Sequence, residues 1–163
     1  MDDAGTIVAF WVLTVVTLGA ALMVVIVRDL FHAVLSLILS FVGVAGLYIT
    51  LSADFVAVAQ VLIYAGAISV LILFAMMLTP RAARDNAETF LQGPALMLAG
   101  LTAATIAGVA GATDWSEASR GPFTTTAAAI GDALLNRYVL PFEIASVLLL
   151  VAMVGAIVLV RED

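Results

Sequence analysis

Gln60 and Tyr64 lie four residues apart inside a run of residues, Phe55 to Leu78, that contains no charged side chain. On a regular α-helix that spacing puts an amide and a phenol on one face, one turn apart. Together they can hold water or pass a proton along a hydrogen-bonded chain. They can equally serve as polar glue to a neighbouring helix, and the residues alone leave both readings open. Ala65, Gly66 and Ala67 follow directly. Three small residues in mid-run permit close helix packing, and the glycine also lowers the cost of a local π-bulge. Adding or removing such a bulge turns everything beyond it by about 100°.

Two carboxylates stand near helix ends. Asp54 precedes the first apolar residue of this run, where it can cap free N–H groups and meet the positive end of the helix dipole. Glu143 follows Pro141 by two residues at the start of the last apolar run, between Phe142 and Ile144. A helix-end role accounts for both, and a proton-accessible site is the alternative. The single histidine, His32, lies in a short turn after Arg28 and Asp29 and reads as a solvated side chain.

These residues need a membrane to give them meaning. The chain has 163 residues, of which 64% are hydrophobic and 11% charged. That composition is outside the range of soluble domains and predicts an all-α, polytopic membrane protein. Five runs are long enough to span: about 6–27, 30–51, 55–78, 91–112 and 142–160. The whole chain, 1–163, reads as one membrane domain with a single sizeable outer loop at 113–140, whose middle (124–135) suits a short surface helix. Short connections make the first three helices antiparallel neighbours. The start, Met1-Asp2-Asp3, is acidic rather than basic, so the first run is expected to stay as a helix rather than leave as a signal peptide.

All six basic residues are arginine. An N-terminus outside puts Arg28, Arg81, Arg84 and Arg161 on the cytoplasmic side, which the positive-inside rule favours. Absence of lysine excludes a lysine Schiff base or lysine proton relay, and absence of cysteine excludes thiolate metal sites and cysteine-ligated clusters. One histidine cannot supply a bis-histidine haem. No catalytic, cofactor or metal site of the chain's own is expected. Small-residue seams (Gly100, Ala104, Gly108 and Ala112; Ser36, Ser40 and Gly43; Ala152 and Ala156) suit a subunit packed among other membrane subunits.

The stretch Gln60-Val61-Leu62-Ile63-Tyr64-Ala65-Gly66-Ala67-Ile68-Ser69-Val70-Leu71 resembles the J subunit of NADH:quinone oxidoreductase, respiratory complex I, whose mitochondrial counterpart is NADH dehydrogenase subunit 6. His32-Ala33 and the stretch from Leu140 to Leu150 fit the same resemblance, which covers the whole chain. It implies a subunit without catalytic residues that couples quinone reduction to proton pumping. In that family the third helix switches between a regular and a π-bulged form. Carried over, Tyr64, Ala65, Gly66 and Ala67 form the hinge, and Gln60, Ile68, Val70 and Leu71 line a gate or water wire. The resemblance also implies NADH, FMN, iron–sulfur clusters and quinone in other subunits. Partners would be the membrane subunit that bears the quinone site, small subunits A and K and the antiporter-like subunits, in the cell inner membrane. Where some family members carry a glutamate, this chain has Gln60, which favours a gate over a proton carrier. Its Asp29-Leu30-Phe31 also replaces a frequent Asn-Pro. A related complex using ferredoxin or a deazaflavin as donor fits equally, and an ion-antiporter or channel subunit without redox partners is the alternative of another class.

Overall fold

The computed structural model describes residues 4–79, 92–115 and 126–160. Every regular element among them is helical, as expected where lipid offers no hydrogen-bond partner to the backbone. Helix α1 spans Ala4–Ile26, α2 Leu30–Thr50 and α3 Asp54–Leu78. Helix α4 spans Gln92–Ala112, the short α5 Thr126–Asp132 and α6 Val139–Val160. Five of these, α5 being the exception, are long and apolar enough to cross a membrane. Arg81 and Arg84, on which the expected orientation partly rests, lie outside the described residues, as do Arg120 and Arg161.

The first three helices are held by compact turns. Asp29 is the N-cap of α2, its carboxylate accepting the N–H groups of Phe31 at 2.8 Å and His32 at 3.4 Å. His32 Nδ1 returns to the same carboxylate at 3.3 Å. These backbone bonds, Phe31 first, hold the Asp29 carboxyl below its ordinary value. At the other end of α2 the chain turns through Ser52 in the left-handed region, φ 57°. Ala53 N–H donates to Tyr48 O at 2.9 Å and Ser52 N–H to Ile49 O at 3.0 Å, the paired bonds of a Schellman motif.

Close packing in this trio depends on small residues. Gly43 of α2 lies against Thr17 of α1, so near that a β-carbon there would overlap the threonine hydroxyl. Ala20, Ala33, Ala45 and Ala57 are buried at the same contacts, together with Thr17 and Ser40. Helix α2 is the central member, touching α1 on one side and the whole of α3 on the other. Of the expected small-residue seams, the Ser40–Gly43 part of α2 is thus occupied within the chain.

The other two spanning helices differ. Among the described residues α4 packs on no other helix, and α6 touches only the segment leading into it. Gly100 and Gly108 of the α4 seam face open space. Helix α6 begins at Val139, so Pro141 lies inside its first turn rather than ahead of it. Proline is tolerated there because first-turn N–H groups have no partner within the helix. Glu143 consequently belongs to the second turn. The connector expected as an outer loop carries α5, followed by a π-helical turn at Ala133–Arg137. Residues 124 and 125 of the expected surface helix lie outside the described residues.

Candidate functional site

Helix α3 changes its winding partway along. Asp54–Ala59 is α-helical, Gln60–Ile68 is π-helical and Ser69–Leu78 is α-helical again. A π-helix bonds each N–H to the carbonyl five residues back, instead of four, so each turn holds about one residue more. Gly66 sits where that winding is crowded. A β-carbon on it would lie 3.3 Å from Val61 O, the carbonyl five residues earlier, closer than most side chains tolerate. The flanking Ala65 and Ala67 keep the same stretch slim.

At the exit of the π segment, Ser69 N–H reaches Tyr64 O and Gly66 O. The Ser69 hydroxyl donates to the same Tyr64 O at 2.7 Å. Ser69 is wholly enclosed, at 0% exposure. Gln60, at the entry to the segment, is buried to 9%. Tyr64 keeps 46% of its surface open, and its ring stands edge-on to Phe41 of α2, with centroids 5.6 Å apart and planes at 68°. An aromatic pair in this geometry is worth about 0.5–1.5 kcal/mol beyond its burial. It ties Tyr64 to α2 through the ring while Ser69 ties it through the backbone.

The remaining expected site residues are not drawn into this cluster. Ile68 is half-buried, while Val70 and Leu71 point outward at 50% and 68% exposure. Those two side chains line the outer surface of this chain's own bundle. Asp54 is the first residue of α3, six residues before Gln60, or about 9 Å along the axis. It borders an apolar groove between α2 and α3 lined by Ala45, Ile49, Ala57, Val58, Val61 and Leu62. The cap expected of Asp54 falls to another residue. Ala53 is the N-cap and gives no side-chain bond, whereas Thr126 Oγ1 of α5 accepts the Phe55 N–H at 3.3 Å. A hydroxyl from 71 residues away therefore closes the N-terminal end of α3. Glu143 stands exposed on α6, which does not pack on α3 among the described residues.

Sequence reasoning passed over Ser69. Nine residues of α-helix are about two and a half turns, so regular winding would put Ser69 on the face opposite Gln60. Nine residues of π winding are roughly two turns, which brings both polar side chains round to the buried side. The one available signal was a hydroxyl amid an uncharged run, and its meaning depends on the local winding.

Chemically, the cluster offers an amide, a phenol and a hydroxyl, with no carboxylate, lysine or histidine from Phe55 to Thr79. Such groups can order hydrogen bonds and water, and their arrangement depends on helix register. No group of three or more metal-ligating side chains occurs among the described residues.

Comparison with known proteins agrees with this architecture. The chain is 42% identical to an NAD(P)H-quinone oxidoreductase chain 6 from Synechocystis, over 96% of this chain and 81% of that protein. It is 39% identical to the F(420)H(2) dehydrogenase subunit J of Methanosarcina mazei, over 100% of this chain and 98% of that one. A NADH-quinone oxidoreductase subunit J from Rhodobacter capsulatus is 39% identical, over 93% of this chain and 79% of that one. Residues 20–159 match the family as a whole, and with five apolar helices of spanning length the chain belongs to the membrane-embedded NADH-ubiquinone/plastoquinone oxidoreductase chain 6 family.

Proposed function

We propose that this chain is a non-catalytic membrane subunit of a proton-translocating quinone oxidoreductase, and that it couples quinone reduction to proton transfer through a change of winding in α3. The observation that carries this reading is the π segment Gln60–Ile68, deep within a helix of spanning length. A π segment in mid-helix is a two-state element, since restoring i to i−4 bonding through these nine residues turns one end of the helix against the other by up to about half a turn. Tyr64, Ala65, Gly66 and Ala67 form the hinge. Gln60, Ile68, Val70 and Leu71 are the side chains whose direction the turn changes, and they act as gate or water-wire lining. Asp54 and Glu143 are the carboxylates nearest the ends of such a path.

The chain itself holds none of the redox groups. NADH, FMN, iron–sulfur clusters and quinone are bound by other subunits. The partners are the membrane subunit that bears the quinone site, the small subunits A and K and the antiporter-like subunits, in the cell inner membrane with the N-terminus outside. The outward faces of α4 and α6, bare among the described residues, suit such neighbours. A second reading keeps this role and changes only the electron donor. It is favoured by the similarity to a subunit named for F(420)H(2) rather than a nicotinamide, and it moves the difference to subunits that meet the donor.

The test is purification of the intact assembly containing this chain, with its subunits identified by mass spectrometry. NADH oxidation, quinone reduction and proton translocation are then measured together, in the native complex and in Gly66→Val. The expected result is co-purification with a quinone-reducing assembly, and a Gly66→Val complex that assembles but translocates fewer protons per quinone reduced. An assembled Gly66→Val complex with normal coupling would leave the chain a packing role only.

A further inference from the structure

Other donating hydroxyls in the described helices reach three or four residues back along their own helix, except that of Ser40, which reaches Thr17 O of α1. Those of Thr14, Thr17, Ser36 and Thr102 each donate to the carbonyl four residues back. The serine at the exit of the π segment alone among the described residues reaches five back within its helix, and it lands on the carbonyl that its own N–H also approaches. Its hydroxyl therefore follows the π register, and it does so in the most enclosed position among the described residues.

A second observation points the same way. Gln60 and Ser69 are both buried, and α2 is the only long helix packed along α3 among the described residues. With regular winding, nine residues separate side chains by half a turn beyond two full ones. Only one of the two polar groups could then face α2. With π winding both do.

We infer that Ser69 is a positioning residue that selects the π register of α3, its hydroxyl pinning the Tyr64 carbonyl five residues back while Gln60 occupies the same buried face. The pin acts on the residue whose ring rests on Phe41, so register and ring position move together. This inference rests on the proposed role of α3 for its functional meaning, but its structural content stands apart from that role.

The experiment compares the assembled complex with Ser69→Ala, Ser69→Thr and Ser69→Val by cryo-electron microscopy, sorting particles by the winding of residues 60–68. Threonine and valine have nearly the same shape, so that pair isolates the hydroxyl from any packing change caused by the added methyl. The π-to-α ratio is expected to fall by a factor of about 2 to 10 in Ser69→Ala and Ser69→Val, the range set by one net hydrogen bond. Ser69→Thr is expected to return it toward the native ratio. Equal ratios in threonine and valine variants overturn the inference, as does an unchanged ratio in Ser69→Ala, including a helix that stays wholly π-wound in every variant. If Ser69→Ala does not assemble, the threonine–valine pair decides. Proton translocation per quinone, measured on the same preparations, separates the two ideas. A shifted register with normal coupling removes the proposed function and keeps the pin. Impaired coupling in Gly66→Val, with unmoved register in the Ser69 variants, removes the pin and keeps the function.

Discussion

The N-terminal three helices and the C-terminal part from α4 onward both contain helices apolar enough to span a membrane, yet they are built differently, and each contains a π segment. In the first part, small residues let α1, α2 and α3 meet at close range, and buried Thr17, Ser40, Gln60 and Ser69 lie along those contacts. In the second part no residue of 93–112 or of α6 is buried, so α6 presents leucine, valine and isoleucine outward while α4 leaves its alanines and glycines uncovered among the described residues. The π segment of α3 is bracketed by buried Gln60 and Ser69 and crowded at Gly66, and the Ser69 hydroxyl donates to Tyr64 O. The one at Ala133–Arg137 ends a short surface helix, closed by Tyr138 N–H donating to Ala133 O at 2.8 Å and flanked by an Asn136–Asp132 side-chain bond. Unusual winding at a helix end relieves a turn into the next element, which makes it ordinary. The same winding in mid-helix lies between two helical arms, and that difference is what the proposed coupling role of α3 rests on.

The contrast between the two segments is tested most strongly at their glycines. Gly66→Val is expected to oppose the π winding of α3 by about 1–3 kcal/mol through overpacking, about 5–150-fold in the register ratio. Gly131 lies in α5 beside the other π segment, and a β-carbon there meets nothing within 4 Å. Gly131→Ala should therefore assemble and translocate normally, with a gain of at most about 1 kcal/mol in helix stability. Loss of coupling in both variants would erase the distinction between the segments.

Next in size is the contrast between helix contacts. Gly43→Ala sets a methyl group into the Thr17 hydroxyl and should cost about 1–3 kcal/mol, read as a lower melting temperature of the complex. At Gly100 an added β-carbon meets nothing among the described residues, so Gly100→Leu projects away from α1–α3. It should leave α1–α3 intact while reducing recovery of the chain with its partner subunits, as measured by co-purification. Full recovery would mean that the α4 seam faces lipid.

Smaller effects are expected at the turns that tie the first part together. The Asp29 carboxyl is held below its ordinary value by the Phe31 and His32 N–H groups, so its folded-state pKa lies below that of the unfolded chain. Its contribution is then complete above the unfolded value, roughly pH 4, and is lost as pH falls through the lowered folded one. Comparison of thermal stability at pH 7 and below pH 4 in native and Asp29→Ala chains should show the gap between them closing in acid. The smallest effect belongs to Ser52→Gly, which removes the strain of a left-handed serine at φ 57° and should stabilise the turn by at most about 1 kcal/mol. If neither turn variant matters, packing rather than the turns holds α1–α3 together.

Much of this molecule is legible from its residues. Uncharged runs of spanning length define five helices because lipid leaves the backbone no other partner. Gly43 and Ser40 mark a helix contact because only small side chains permit one. Tyr64 and Gly66 stand out because a phenol and a glycine are costly choices in mid-run. The capping of α3 by Thr126 was not legible, since it joins residues 71 positions apart. Nor was the inward place of Ser69, because assigning faces requires the number of residues per turn.

Composition and run length were enough to define a helical membrane protein, since both act without regard to neighbours, whereas the types of Tyr64 and Gly66 left packing and a hinge both open. Which polar groups of α3 are buried together was settled in three dimensions. That depends on winding, since π-helical turns between Gln60 and Ser69 bring both to the side along which α2 lies.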